Sequence, residues 1–121
     1  MERFRKAVEA RDADALVASL AEDVEFSSPI AFRPYRGREA VGFVLRGVMR
    51  VFGDFRYTDT LASATQGALV FEASVAGRKL DGIDLIEMDE SGLVKRLTVF
   101  VRPLSAATAL AEAMAKQLAG G

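Results

Sequence analysis

Hydrophobic positions in the first half of the chain recur with the 3.6-residue period of an α-helix. Two short runs are separated by the polar stretch ARDAD, where Asp12 or Asp14 can cap a second helix. A longer apolar stripe over residues 37–52 predicts the main amphipathic helix. The apolar positions that carry these helices are Phe4, Ala7, Val8, Leu16, Val17, Leu20, Val41, Val44, Leu45, Val48, Val51 and Phe52.

After Gly53 the period changes from 3.6 to 2, which is typical of β-strands. Four strands are predicted at residues 55–64, 68–76, 79–89 and 93–102, and a shorter one at 23–28 stops at Pro29. The breaks TQG, AGR and DESG are short turn sequences, so the four strands should form an antiparallel meander. Beyond Pro103, Ser105 can cap a C-terminal helix. The apolar face of that helix comprises Ala107, Leu110, Ala111, Met114 and Leu118.

This order of elements predicts a single α+β domain over residues 1–121, with a pair of short N-terminal helices, a long helix, a mainly antiparallel sheet and a C-terminal helix. The segment IAFRPYRG, between the first strand and the long helix, is predicted to be a loop. A length of 121 residues suits one hydrophobic core and is too short for two.

Charge and composition narrow the function classes. The 16 basic and 17 acidic residues give a net charge of -1, which argues against a nucleic-acid partner or a polybasic membrane surface. The charged start MERFRK predicts no signal peptide, and no apolar run approaches the roughly 20 residues of a membrane span. Without cysteine there is no disulfide or thiolate site, and we predict a cytoplasmic location. Without histidine, acid–base chemistry falls to Asp, Glu, Tyr, Lys or water, and no metal or cofactor is predicted.

The stretch LDGIDLIEM places two carboxylates, Asp81 and Asp84, inside a predicted strand. A buried carboxylate without a partner is costly, so such a residue faces water, pairs with another group or serves a function. Strand alternation separates the two acids: Asp84 shares a face with Gly82 and Ile86, whereas Asp81 faces the other way. The chemistry of the chain therefore depends on which face Asp84 occupies.

Several motifs identify a fold family. SSP after the first strand, YRGREAV at the start of the long helix, GIDLIEMDESGLV in the meander and TVFVRPLS at its end resemble the nuclear-transport-factor-2-like superfamily. This superfamily includes the ketosteroid isomerases and the SnoaL-like polyketide cyclases. The resemblance covers nearly the whole chain and implies a cone-shaped fold, in which a strongly bent sheet wraps around the long helix and leaves a pocket open at one end.

The resemblance also implies roles for single positions. In the isomerases a carboxylic acid on the third meander strand, after a GRK-type turn, donates a hydrogen bond to the substrate oxyanion, and Asp84 falls on that position. Their proton-transferring aspartate is replaced here by Ser28, and their oxyanion tyrosine on the first helix is replaced by Phe4. Two of the three catalytic groups therefore differ. No Asp, Arg, Asp set of the epoxide hydrolase branch can be placed.

A pocket formed on the inner face of the sheet would surround Asp84 with apolar side chains and raise its pKa, so that it can act as an acid or a base near neutral pH. The alternative is a structural role, in which Asp84 pairs with Arg33, Arg36, Arg102 or Tyr57. We predict Asp84 as the catalytic residue, with substrate contacts from Ser28, Tyr57, Leu69, Phe71, Ile86, Leu97 and Val99.

Two classes of function remain open. The first is a cofactor-independent isomerase or cyclase that acts on a small apolar carbonyl compound, and the second is a non-catalytic small-molecule binding or dimerisation domain. The far face of the sheet carries Ile83, Leu85, Thr98 and Phe100, which is more apolar than a solvated face. A homodimer through this outer face is predicted, in agreement with the family resemblance.

Overall fold

Two short helices open the chain in the computed structural model, which describes residues 1–119. Helix α1 spans Glu2–Glu9 and α2 spans Ala13–Ala18. Between them Asp12 caps α2, since its carboxylate accepts a hydrogen bond from the N–H of Ala15 at 3.0 Å. Of the two predicted cap residues, the structure therefore selects Asp12. Arg11, just before the cap, has a positive φ of 55°.

The two longer helices form later. Helix α3 spans Arg38–Val51, close to the predicted 37–52, and α4 spans Leu104–Ala119. The prediction that Ser105 caps α4 was wrong. The helix begins one residue earlier, and the carbonyl of Pro103 accepts from the N–H groups of Ala106 and Ala107, so Ser105 lies within the first turn. Pro103 thus ends the last strand and begins the helix at the same point.

Six strands form one curled, open sheet in the order β2-β1-β6-β5-β4-β3. The four meander strands lie within two residues of their predicted bounds and pair antiparallel. Strand β1 pairs parallel with β6. Tyr35 and Arg36, predicted as loop, form the short strand β2, which pairs with β1 through Phe26 and Tyr35. The strands are β1 Leu20–Ser27, β2 Tyr35–Arg36, β3 Gly53–Ala62, β4 Gln66–Val75, β5 Arg78–Met88 and β6 Val94–Arg102.

Alternation along β5 assigns one face of the sheet to the core. Gly82, Asp84 and Ile86 are buried, whereas Ile83 and Leu85 are exposed. Helix α4 contacts β4, β5 and β6 on the inner face, and α3 contacts α4, β1 and β2. The predicted α+β cone fold is confirmed. The core is built by Phe4, Leu16, Leu20, Val24, Phe26, Val41, Leu69, Phe71, Val75, Ile86, Val94, Leu97, Leu110 and Met114, among others.

Among the described residues, no helix is long and apolar enough to cross a membrane.

Candidate functional site

A cavity of about 150 Å³ lies between the inner face of the sheet and the helices. All four helices, five of the six strands and the loop after β1 contribute to its wall. Most of the wall is apolar, and the polar groups that reach it are Glu9, Arg11, Ser28, Tyr35, Tyr57 and Asp84. The apolar wall comprises Phe4, Val8, Leu16, Phe26, Pro29, Ile30, Val44, Leu45, Val48, Met49, Phe52, Phe55, Leu97, Val99, Leu110, Met114 and Leu118.

Asp84 is the most buried carboxylate of the wall. It lies in the middle of β5, paired with Leu69 on β4 and Val99 on β6, and only 7% of it is exposed. Its Oδ2 accepts a hydrogen bond from the phenol of Tyr57 on β3, with an oxygen–oxygen distance of 2.7 Å. Within residues 1–119, Tyr57 is the one side chain that hydrogen bonds to Asp84. The second carboxylate oxygen is therefore available to a molecule in the cavity.

Burial sets the acidity of this pair. Loss of hydration raises the pKa of Asp84 to about 7 from its ordinary 3.8, and the hydrogen bond from Tyr57 partly opposes the rise by stabilising the carboxylate. The pKa of Tyr57 is also raised, first by burial and then by the negative charge of Asp84, so the phenol keeps its proton. At neutral pH, Asp84 is thus divided between its acid and its carboxylate, next to a phenol that remains a donor.

None of the three arginines considered as structural partners of Asp84 contacts its carboxylate within the described residues. Arg102 donates to Asp81 at 2.9 Å on the outer face, and Arg36 lies 3.6 Å from Glu25. Arg33 is exposed in the loop after β1. Of the four alternatives, the structure selects Tyr57, which also lines the cavity.

The structure brings four of the predicted contact residues together with Asp84 at the cavity: Ser28, Tyr57, Leu97 and Val99. The other three, Leu69, Phe71 and Ile86, point inward as predicted but lie in the packed core and not in the cavity wall. Phe71 is covered by Phe55, whose ring lines the cavity and stacks on it at 4.8 Å. Leu69 and Ile86 have no exposed surface. A ligand in the cavity would not touch these three side chains.

Ser28 has a local role at the cavity wall. Its Oγ accepts hydrogen bonds from the N–H groups of Ile30 and Ala31, at 3.3 and 3.1 Å, and so closes the turn after β1. Phe4 on α1 is buried and apolar. Neither residue offers a group that could exchange a proton with a ligand, in contrast to the residues that the isomerase resemblance implies at these positions.

Several wall residues were not predicted. The apolar stripe of α3, including Val44, Leu45 and Val48, was predicted only as a buried helix face, because periodicity shows that a face is buried and not whether it faces protein or a void. Met49 was not part of the predicted stripe. Phe55 lies two residues before Tyr57 on β3 and therefore on the same face, so alternation along that strand could have found it. Glu9 and Arg11 carry no such signal, since they lie at a helix end where polar residues are common.

No group of three or more Asp, Glu, His or Cys side chains within residues 1–119 could hold a metal ion.

Comparisons with known proteins agree with this architecture. The family model of the SnoaL-like domain matches residues 1–97, which leaves α4 outside the match. A crystal structure of a steroid delta-isomerase from Pseudomonas aeruginosa is 39% identical, with a TM-score of 0.93 over 98% of this chain and 88% of that chain. A protein with a cystatin-like fold from Silicibacter pomeroyi is 34% identical, with a TM-score of 0.93 over 97% and 83%.

More distant structures share the fold alone. An NTF2-like protein from Mesorhizobium loti is 18% identical, with a TM-score of 0.76 over 85% of this chain and 88% of that chain. No curated protein matches the chain. The family match over most of the sequence and the near-complete overlap with two solved structures show that the chain belongs to the SnoaL-like family, within the NTF2-like fold.

Proposed function

We propose that this chain is a cofactor-independent enzyme of the isomerase or cyclase type, which binds an apolar carbonyl compound in the cavity and uses Asp84 as its acid–base group. One observation carries the proposal: a carboxyl with a pKa of about 7 lies in an apolar cavity wall, with one oxygen held by Tyr57 and the other free. The 39% identity to a protein described as a steroid delta-isomerase supports the same class of reaction.

The chemistry follows from the two protonation states of Asp84. In its acid form, Asp84 donates a hydrogen bond to the carbonyl oxygen and stabilises the enolate, while a water molecule takes the proton from the neighbouring carbon and returns it at another carbon. In its carboxylate form, it takes a proton from that carbon and returns it at another carbon, so the double bond moves without any net change in protons. Tyr57 holds the carboxyl in position in both cases.

A second candidate is a binding protein without turnover. Ser28 Oγ is engaged in a turn, and Phe4 is apolar, so the cavity has no second proton-transferring group at either of these positions. The cavity is still suited to an apolar molecule with one hydrogen-bond acceptor, because Asp84 can donate to that acceptor in its acid form. This candidate predicts ligand binding with no chemical change in the ligand.

The two candidates can be separated with β,γ-unsaturated ketones. Cyclohex-3-en-1-one and androst-5-ene-3,17-dione offer a small and a large probe, and their conversion to the conjugated ketone changes the ultraviolet absorbance. We expect turnover by the parent and loss of turnover in Asp84→Asn. Asp81→Asn is the matched control, since Asp81 lies on the same strand but faces outward and pairs with Arg102. Activity that increases with pH through 7 indicates the carboxylate as base, and activity that decreases indicates the acid as donor.

Two further outcomes, binding without turnover and no binding at all, distinguish the candidates. A rise in melting temperature with a ketone that is not converted would favour the binding protein. If neither ketone is converted and neither raises the melting temperature, the proposed pocket for apolar carbonyl compounds is contradicted for both candidates.

We also propose that the outer face of the sheet forms a homodimer. Ile83, Leu85 and Phe100 are 38%, 44% and 55% exposed, and the strand register places Ile83 beside Phe100. Leu85 lies beside Thr98, so the four residues form one continuous and mainly apolar surface on β5 and β6. A two-fold axis through this face would cover the same surface on both subunits.

A further inference from the structure

A second hollow adjoins the cavity at the junction of α2 and α3. It has a volume of about 220 Å³ and is lined by Arg11, Ala13, Arg46, Met49 and Arg50, with no acidic side chain in its wall. Arg11 and Met49 also line the apolar cavity, so the two spaces share a border. We call the second space the arginine groove. An apolar space and a basic space are thus placed side by side.

Arg11 occupies a backbone position that ordinarily favours glycine. At the end of α1, the N–H of Arg11 bonds to the carbonyl of Val8, and that of Asp12 bonds to Ala7. This is the Schellman pattern, in which the residue after the helix is left-handed, and Arg11 has a φ of 55°. Glycine adopts this conformation more readily than any residue with a Cβ. A long cationic side chain at such a position indicates that the side chain has a structural or functional role that offsets the backbone strain.

Charge around the groove is only partly neutralised. Asp14 pairs with Arg46 at 2.6 Å, and Glu9, at the edge of the cavity, pairs with Arg5 at 3.4 Å. Within residues 1–119, neither Arg11 nor Arg50 takes part in an ion pair. The groove therefore keeps two positive charges without an acidic partner among the described residues.

Neutral contacts hold these two arginines in place. Arg11 Nη2 donates to the carbonyl of Met49 at 2.7 Å, which ties the end of α1 to α3. Arg50 donates to Gln117 on α4 at 2.7 Å when the amide oxygen of Gln117 faces it. Since each guanidinium carries five N–H donors, both retain donors for another acceptor. Positioned cations with free donors suit a carboxylate, which accepts two parallel hydrogen bonds from one arginine.

We propose that the arginine groove binds a carboxylate carried by the ligand whose apolar carbonyl part enters the cavity. The ligand class is then an apolar keto acid and not a neutral ketone. This inference rests on the proposed pocket function and adds the end group that the ligand carries. Arg11 contacts both parts of the ligand, because it lines both spaces.

The test compares each acid with its neutral ester. ω-Benzoylalkanoic acids with three to six methylene groups and their methyl esters differ in charge but carry the same aryl ketone. Calorimetric titration at low ionic strength should give roughly two- to fivefold tighter binding for at least one acid than for its ester, as expected for exposed or half-buried ion pairs. The preference should shrink in 0.5 M salt, where charges in contact with solvent are screened.

Three variants locate the effect. Arg11→Gly and Arg50→Gln should each bring the dissociation constant of the acid to that of its ester, and Arg11→Gly suits the left-handed backbone. Arg78→Gln is the control, since it removes a positive charge from the first residue of β5, outside both spaces. It should keep the preference.

The other outcomes contradict the inference in distinguishable ways. Equal binding of acid and ester by the parent would overturn the arginine groove and leave the pocket function standing. If neither acid nor ester binds, the pocket function fails for aryl ketones, and the inference fails with it. If Arg11→Gly weakens acid and ester equally, Arg11 has only the structural role of tying α1 to α3.

Discussion

Tyr57 on β3 reaches across β4 to donate a 2.7 Å hydrogen bond to Asp84 on β5. The register aligns Tyr57 with Phe71 and Phe71 with Gly82, so the phenol crosses diagonally to Asp84, two residues beyond Gly82. The ring of Tyr57 lies edge-on to Phe71. The hydrogen bond at the cavity wall therefore depends on how side chains on three neighbouring strands pack, and not on any single strand.

The raised pKa of Asp84 predicts a pH dependence of stability. The folded protein holds the proton up to a pH of about 7, whereas the unfolded chain releases it near 3.8. Between these values the folded state binds more protons, so stability should decrease as pH rises from about 4 to 7, by on the order of 4 kcal/mol, and then level off. Urea unfolding at pH 5, 6, 7 and 8 measures the decrease.

Asp84→Asn isolates the contribution of this one carboxyl. The asparagine side chain has the same shape and never ionises, so the variant should gain stability relative to the parent as pH rises through the same range. The absence of histidine leaves few other groups that titrate between pH 5 and 8, where the unfolding is measured. The free energy of unfolding of Asp81→Asn should change with pH in the same way as that of the parent. Parallel pH curves for the parent and Asp84→Asn would contradict a buried carboxyl of raised pKa.

Removal of the phenol should shift the titration of Asp84 upward. The hydrogen bond from Tyr57 stabilises the carboxylate, so Tyr57→Phe should raise the pKa of Asp84 above that of the parent. Titration of the carboxyl carbon of Asp84 by NMR measures both values directly. Thr58→Val, one residue along β3 and facing outward, is the control, and it should leave the midpoint unchanged. A midpoint in Tyr57→Phe equal to or below that of the parent would show that the phenol does not stabilise the carboxylate.

The helices and the meander could be predicted because both depend on local signals. Turns with Gly77 and Gly92 at positive φ separate strands of period 2, and the short connections leave antiparallel pairing as the simple solution. The parallel pairing of β1 with β6 could not be predicted, since these strands are far apart in the sequence. Strand β2 is only two residues long, too short to show a period.

The site could be predicted as far as Asp84 and its face of the sheet. Alternation on one strand is sufficient for that step. The choice of Tyr57 over three arginines required the packing of β3, β4 and β5, which no local pattern contains. Arg11 could not be found, because a left-handed helix end without glycine has no clear sequence signature. Which inward residues line the cavity and which are packed in the core could not be predicted either, because this depends on three-dimensional packing.

Gly82 is predicted to be required for the packing beneath the site. A Cβ at Gly82 would clash with Cζ of Phe71, whose ring is fixed by its stack on Phe55. Gly82→Ala should therefore destabilise the protein by about 1 to 3 kcal/mol, the usual cost of overpacking a core. Chemical denaturation measures the change.

Gly47→Ala provides the matched control for this prediction. A Cβ there would have its nearest contact at 3.4 Å, with the flexible end of Met114, and alanine is favoured inside helix α3. The control should be neutral or stabilising. Combining Gly82→Ala with Phe71→Leu should recover part of the lost stability. If Gly82→Ala is as stable as the parent, Phe71 does not hold the position described.

The proposed dimer predicts that a charge at the centre of the outer sheet face gives a monomer. Phe100 is 55% exposed and lies beside Ile83, so Phe100→Glu would place two carboxylates, related by the two-fold axis, in an apolar interface. Analytical ultracentrifugation should show a dimer for the parent and a monomer for the variant. Phe32→Glu is the control: Phe32 is fully exposed in the loop after β1 and belongs to neither β5 nor β6, so the variant should remain a dimer. A parent that sediments as a monomer at micromolar concentration would contradict the interface.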